Sequence, residues 1–331
     1  MSIILQPPFL PVWQRELAQG FRSPEELLAF LGLPPVLGSQ AAQKTFPFLV
    51  PRGFAARMRP GDPNDPLLRQ VLPRIEETFS IPGFVNDPVG DTQASRAPGV
   101  LHKYPGRVLL IATGACAIHC RYCFRREFPY LENQLNPTRQ EQALAYIRKD
   151  PSIKEVILSG GDPLMLKDAR LENLILALAE IPHLQRLRIH SRLPIVLPSR
   201  ITDGLVQTLT ATRLTCVMVV HANHANEINS EVTEAISKLR QRAILVLNQS
   251  TLLKGINDSI EALVALQETA FAAGILPYYL HLLDRARGTA HFEVPETEAR
   301  MLYEHLRRRL PGYLVPRLAR EQAKAQYKIW L

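Results

Sequence analysis

Six times in succession after about residue 105, a short run of β-branched and aliphatic residues is followed by an amphipathic helical stretch. The strand candidates are Val108–Thr113, Glu155–Gly160, Arg186–Ser191, Thr215–Ala222, Ala243–Ser250 and Pro277–Leu283. Helical periodicity follows them near 138–149, 168–180, 202–212, 226–241 and 258–273, and again at 295–309. Strands alternating with helices predict a parallel sheet. Six units are fewer than the eight that close a β/α barrel, so the expected fold is α/β, a partial (β/α)6 TIM-like barrel.

The first hundred residues have a different texture, rich in prolines and short amphipathic stretches. SPEELLAFLGL (23–33) predicts a helix with Ser23 as N-cap and Glu26 three residues on, a capping box. DPLLRQVLPRIEET (66–79) predicts a second helix, interrupted at Pro73, and PGDPNDP (60–66) a loop. The expected organisation is a helical N-terminal region over 1–100, the β/α core over 101–310 and a C-terminal segment over 311–331.

Composition excludes several classes. Hydrophobic residues at 46% and charged residues at 21% are ordinary globular values, so wholesale disorder is not expected. Four Cys in 331 residues exclude a disulfide-built scaffold. No run of 18 apolar residues occurs and the N-terminus lacks a basic, apolar leader, so the expectation is a cytoplasmic protein with reduced thiols and no membrane partner. Lys+Arg 39 against Asp+Glu 31 leaves a net charge of +8, but the cations are scattered. Their densest run, Arg307-Arg308-Arg309, falls where a helix ends and complements its dipole. No nucleic-acid partner is expected.

In β/α barrels chemistry gathers at the C-terminal ends of the strands. Here those ends carry Ser159-Gly160-Gly161-Asp162, His190-Ser191-Arg192, His221-Ala222-Asn223-His224, Asn248-Gln249-Ser250, and His281 with Asp284. After the first strand comes Cys116-Ala-Ile-His-Cys120-Arg-Tyr-Cys123, a C-x3-C-x2-C array. A structural zinc site would require a fourth ligand, and Cys216 lies within a strand among Val217 and Met218, where a buried thiol is expected. Three thiolates suit a [4Fe–4S] cluster with one iron left without a protein ligand.

With these residues the chain resembles the radical S-adenosylmethionine (SAM) superfamily, and more closely the lysine 2,3-aminomutases. The resemblance rests on Cys-Arg-Tyr-Cys-Phe-Arg-Arg, Leu158-Ser-Gly-Gly-Asp162-Pro-Leu, Ser191-Arg-x-Pro-x-Val-Leu-Pro-x-Arg-Ile-Thr202, His221-x-Asn-His224, Asn248-Gln-Ser-x-Leu-Leu-Lys-Gly-x-Asn257-Asp and Pro277-Tyr-Tyr, in one order from about Leu101 to the C-terminus. The short chain and helical N-terminus resemble the bacterial subgroup that makes (R)-β-lysine for modifying elongation factor P.

The resemblance implies three cofactors: a [4Fe–4S] cluster on Cys116, Cys120 and Cys123, SAM, and pyridoxal 5′-phosphate (PLP). It implies that Ser159, Gly160, Gly161 and Asp162 line the methionine part of SAM, and that His221 and Gln249 contact its adenosine part. It places Arg107 near PLP and makes Lys328 the lysine that bonds to PLP, with Lys324 as runner-up. The family's Gly-rich run before this lysine is replaced here by Gln-Ala-Lys-Ala-Gln-Tyr. Arg125 matches the residue that holds the substrate carboxylate, and Asp284 and Glu321 match acids that hold the lysine ε-ammonium. The implied reaction moves the α-amino group of L-lysine to Cβ. Implied partners are L-lysine, a flavodoxin- or ferredoxin-type electron donor, and elongation factor P with its lysyl-transfer enzyme. Production of free β-lysine as a metabolite, and a radical SAM enzyme of other chemistry lacking PLP, stand as alternatives.

Overall fold

The computed structural model describes residues 10–323 and 325–331. Ten strands form one sheet in chain order: β1 (Ser95–Ala97), β2 (Val100–Tyr104), β3 (Arg107–Thr113), β4 (Glu155–Gly160), β5 (Arg186–Ser191), β6 (Thr215–Val220), β7 (Leu245–Thr251), β8 (Leu276–His281), β9 (Arg317–Arg320) and β10 (Ile329–Trp330). Strands β3 to β9 run parallel, while β1–β2–β3 and β9–β10 are antiparallel. Among the described residues β1 and β10 do not pair, so the curved sheet stays open as a partial barrel.

The expected strands and helices of the core are present within a few residues. The strand period of two divides each strand between two environments. Leu110, Val156, Leu158, Leu187 and Ile189 are fully buried and stay out of the barrel interior. Their neighbours Arg107, Leu109, Glu155, Ile157, Ser159, Arg188 and His190 line an interior cavity. The helices close the outer face with apolar stripes at i, i+3, i+4 and i+7, as with Val232, Ala235, Ile236 and Leu239 in Ser230–Gln241. Asn229 and Ser259 cap two of them, accepting from Val232 N at 3.1 Å and Ala262 N at 3.2 Å.

The N-terminal region departs from the expectation in three ways. Ser23 Oγ accepts from Glu26 N at 3.2 Å, but the Glu26 carboxylate reaches Arg22 N at 3.5 Å and so leaves the capping box half formed. The stretch 66–79 splits into a helical turn Pro66–Arg69 and a 3-10 turn Ile75–Thr78, because Pro73 cannot donate within a helix. Finally, the region is not wholly helical. The β1–β2 hairpin turns at Gly99 (φ 77°) and extends the sheet across the expected boundary at residue 100. Trp13, Leu27, Phe54 and Leu68 share one apolar core with Val100, Leu158, Ile189 and Val246. The N-terminal region is therefore built into the barrel.

Candidate active site

One cavity of about 610 Å³ fills the barrel interior, lined from the strand starts at Arg107, Glu155 and Leu245 to the strand ends at Gly160, Ser191 and His281. The described residues to which the resemblance gives a role all line it: Cys116, Cys120, Cys123, Arg107, Arg125, Ser159, Gly160, Gly161, Asp162, His221, Gln249, Asp284, Glu321 and Lys328; Asn223, His224, Asn248 and Ser250, also named at the strand ends, do not. Lys324 lies outside the described residues.

The cysteine loop after β3 is held by buried ionic contacts. Arg121 is fully buried and donates to both oxygens of Glu77, at 2.9 Å from Nε and 2.6 Å from Nη2. It also donates to the carbonyls of Phe46 at 2.9 Å and Ala42 at 3.1 Å. Arg126 donates to the same Glu77 at 3.0 Å. Two backbone bonds complete the staple, Arg121 N to Gln70 O at 2.9 Å and His119 N to Leu49 O at 3.0 Å. The loop thus rests on the N-terminal region and presents its thiols to the cavity. Burial and mutual repulsion push the Cys123 thiol up to about 11 and Cys116 well above its ordinary value. Three free thiols from one loop lining one cavity are the donor set that a [4Fe–4S] cluster with one open iron would take. Cys216, on β6, is buried away from it, and burial pushes its thiol up to about 12.

Strand β4 ends against this loop. Gly160 has φ 130°, and a Cβ there would lie 2.3 Å from Thr113 O. A Cβ on Gly161 would lie 2.3 Å from Ala115 O. The two glycines are thus required by the approach of β4 to the cysteine loop, a more specific reason than open space for a ligand. Asp162 is buried and braces β4 to β5. It accepts from Ser191 Oγ at 2.8 Å, Arg192 N at 2.7 Å and Leu164 N at 3.0 Å, and burial raises its carboxyl to about 6.

Charged side chains form a second group around the open edge of the sheet. Arg125 donates to Asp91 Oδ2 at 2.6 Å and to Ser159 Oγ at 3.2 Å. Lys103 pairs with Asp91 at 2.6 Å and lies 3.6 Å from Glu321. Glu321 accepts from Tyr104 Oη at 2.6 Å and pairs with Lys328 at 3.2 Å. Burial works against the Glu321 charge, but Lys328, Lys103 and Tyr104 outweigh it and hold the carboxyl below its ordinary value. Asp284 is the opposite case: burial, with Glu321 nearby, raises it to about 7 despite Lys328 and Lys103.

The C-terminal segment reaches the barrel by sheet formation. β9 adds in parallel to β8, and β10 returns antiparallel to β9, pairing Ile329 with Arg320. This carries Lys328 Nζ into the cavity, 3.4 Å from His281 Nε2 and 4.9 Å from the Tyr279 ring. Arg188 also lines the cavity and donates to Tyr278 Oη at 3.2 Å and to Glu155 at 3.0 Å; among the described residues its Nε and His190 Nε2 have no partner.

Sequence reasoning named His190 and His281 among the polar strand ends without giving them a role, and did not name Asp91, Lys103 or Arg188. The signal for Arg188 was present, since Arg-Leu-Arg-Ile-His over 186–190 alternates polar and apolar with the strand period.

A partial β/α barrel with three thiols after its first parallel strand defines a radical SAM enzyme, and residues 110–266 match the family described as the radical SAM superfamily. The chain is 47% identical to an L-lysine 2,3-aminomutase of Escherichia coli (strain K12), covering 96% of this chain and 94% of that one. It is 47% identical to the Haemophilus influenzae enzyme of the same name, covering 98% and 97%, and 35% identical to that of Clostridium subterminale, covering 92% and 74%. The chain belongs to the L-lysine 2,3-aminomutase family. It is an isomerase, and the cofactors that go with the family are a [4Fe–4S] cluster, SAM and PLP.

Proposed function

We propose that this enzyme uses PLP together with the cluster and SAM to convert L-lysine into (R)-β-lysine, and that the product serves the modification of elongation factor P. The observation that carries the reading is the set of groups lining one cavity: three thiols, Cys116, Cys120 and Cys123, together with Lys328, Arg125 and two acids, Asp284 and Glu321. A dibasic amino acid has one carboxylate and a distal ammonium, and this set offers a partner of opposite charge to each. The compact chain, which spans nearly the whole of the Escherichia coli and Haemophilus relatives but 74% of the Clostridium one, supports assignment to the short subgroup.

When bound, the cluster and SAM supply a radical able to take hydrogen from carbon, and PLP carries the migrating nitrogen. The chain's residues hold and orient the reactants. Arg125 exchanges Asp91 for the substrate carboxylate, and Asp284 and Glu321 take the ε-ammonium. Arg107 and the unpartnered Arg188 Nε offer cationic donors to a phosphate, and Lys328 is the covalent anchor. Gly160, Gly161 and Ser159 form the wall beside the methionine part of SAM, with His221 and Gln249 farther along the sheet. With the reactants filling the cavity, its walls would keep water from reactive carbon centres.

Anaerobic incubation with L-lysine, SAM, PLP and a reductant, followed by chiral analysis, is expected to yield (R)-β-lysine. An intact cluster with no β-lysine would overturn the activity. Normal β-lysylation of elongation factor P in a strain lacking the gene would overturn the biological role.

The carboxylates also predict a pH dependence. Asp284 holds its proton up to about 7, whereas in an unfolded chain it would release it near its ordinary value. The groups facing it are Glu321, Lys328, Lys103 and Asp91. The neutral acid binds an ammonium weakly, so KM for lysine should fall as pH rises from 6 toward 8, by at most about tenfold per unit. Asp284→Asn should raise KM and flatten that slope.

A further inference from the structure

Beneath the cysteine loop lies a buried polar network that the proposed reaction does not use. Arg192, at the start of the turn after β5, points back under the loop. Its Nη1 lies within hydrogen-bonding reach of Cys120 Sγ, while Nη2 donates to Gln70 Oε1 at 2.7 Å and to Glu227 Oε2 at 2.9 Å. Glu227 is fully buried, and its other oxygen accepts from Asn223 N at 2.8 Å, His224 N at 3.1 Å and Gln70 Nε2 at 3.1 Å. The backbone of Arg192 is in turn tied to Asp162. The guanidinium is held by two fully buried side chains, Gln70 and Glu227, and one edge of it is left facing a sulfur.

We propose that Arg192 is a positioning residue that donates to the Cys120 sulfur and tunes the reduction of the cluster, with Gln70 and Glu227 fixing its aim. This rests on the reading of Cys116, Cys120 and Cys123 as cluster ligands. Hydrogen bonds to sulfur and local net charge are among the main determinants of iron–sulfur potentials. A cationic donor withdraws electron density from the thiolate and favours the added electron, so it makes the one-electron reduction by an external low-potential donor easier. The network also gives the N-terminal region a role in the chemistry, because Gln70 belongs to it.

The test is a redox titration with dithionite of the anaerobically reconstituted full-length protein, read by electron paramagnetic resonance, with iron and sulfide counted. Arg192→Gln should bind iron but be reduced only at a more negative potential. Arg192→Lys should lie between it and the parent protein, and Glu227→Gln, which removes the opposing charge, should shift the potential the other way. An unchanged potential and spectrum in Arg192→Gln would overturn the proposal. If Arg192→Gln does not load iron, the sign of the shifts in Arg192→Lys and Glu227→Gln decides, and shifts of one common sign would overturn it. A parent protein that binds no cluster would instead overturn the reading on which the proposal rests.

Discussion

Lys328→Ala is expected to abolish the visible absorbance of lysine-bound pyridoxal and to lower turnover by ~10³-fold or more, the scale of removing a covalent catalytic group. The reason lies in the surroundings of its ammonium. Glu321, His281 and the Tyr279 ring hold Nζ at one place in the cavity, 3.2 Å from the carboxylate. Burial and the Lys328 charge keep His281 well below its ordinary value, so the neutral ring faces the amine without repelling it. Lys324→Ala should retain both the absorbance and most of the activity. If the absorbance disappears in Lys324→Ala and persists in Lys328→Ala, the anchor is misassigned. The spectrum separates this from a general loss of folding, since cluster content should stay constant in both variants.

Glu77→Gln is expected to be the most destabilising single change beneath the cysteine loop. It leaves two buried guanidinium groups, Arg121 and Arg126, facing a neutral amide. Removing one partner of a buried ion pair costs about 3–5 kcal/mol, because the remaining charge is uncompensated. For a chain of this size that corresponds to a fall in Tm of roughly 4–7 °C. Arg121→Met should cost less, since Glu77 keeps Arg126 and the vacated space accepts an apolar chain of similar length. Iron content after reconstitution should follow the same order, because these residues tie the loop to the N-terminal region. Equal stability of Glu77→Gln and the parent protein by denaturant melting would show that the staple is not what holds the loop.

The alternation of strands and helices was legible because buried parallel strands leave runs such as Thr-Cys-Val-Met-Val-Val, and outer helices leave apolar stripes of period 3.6. The thiols were legible because their spacing lies within one loop. The edges of the sheet were not. Strands β1, β2, β9 and β10 are short and half exposed, so they carry no long apolar run, and tertiary pairing alone makes them strands. Asp91 and Lys103 escaped notice for a related reason. A lone charged residue has no periodic signature, and its meaning depends on partners far along the chain, as with Lys103 and Glu321.

By itself, then, the sequence determined the β/α order, the three-thiol loop and the polar strand ends, since each depends on residues within about one turn or one strand of each other. Tertiary structure alone decided that the N-terminal region lies under the cysteines, that Arg192 faces Cys120, and that a terminal hairpin brings Lys328 to His281. Those contacts join residues 47 to 122 positions apart in the cases of Lys328 with His281 and Arg192 with Gln70. At such separations, burial and charge compensation choose the partner, and no local pattern encodes that choice.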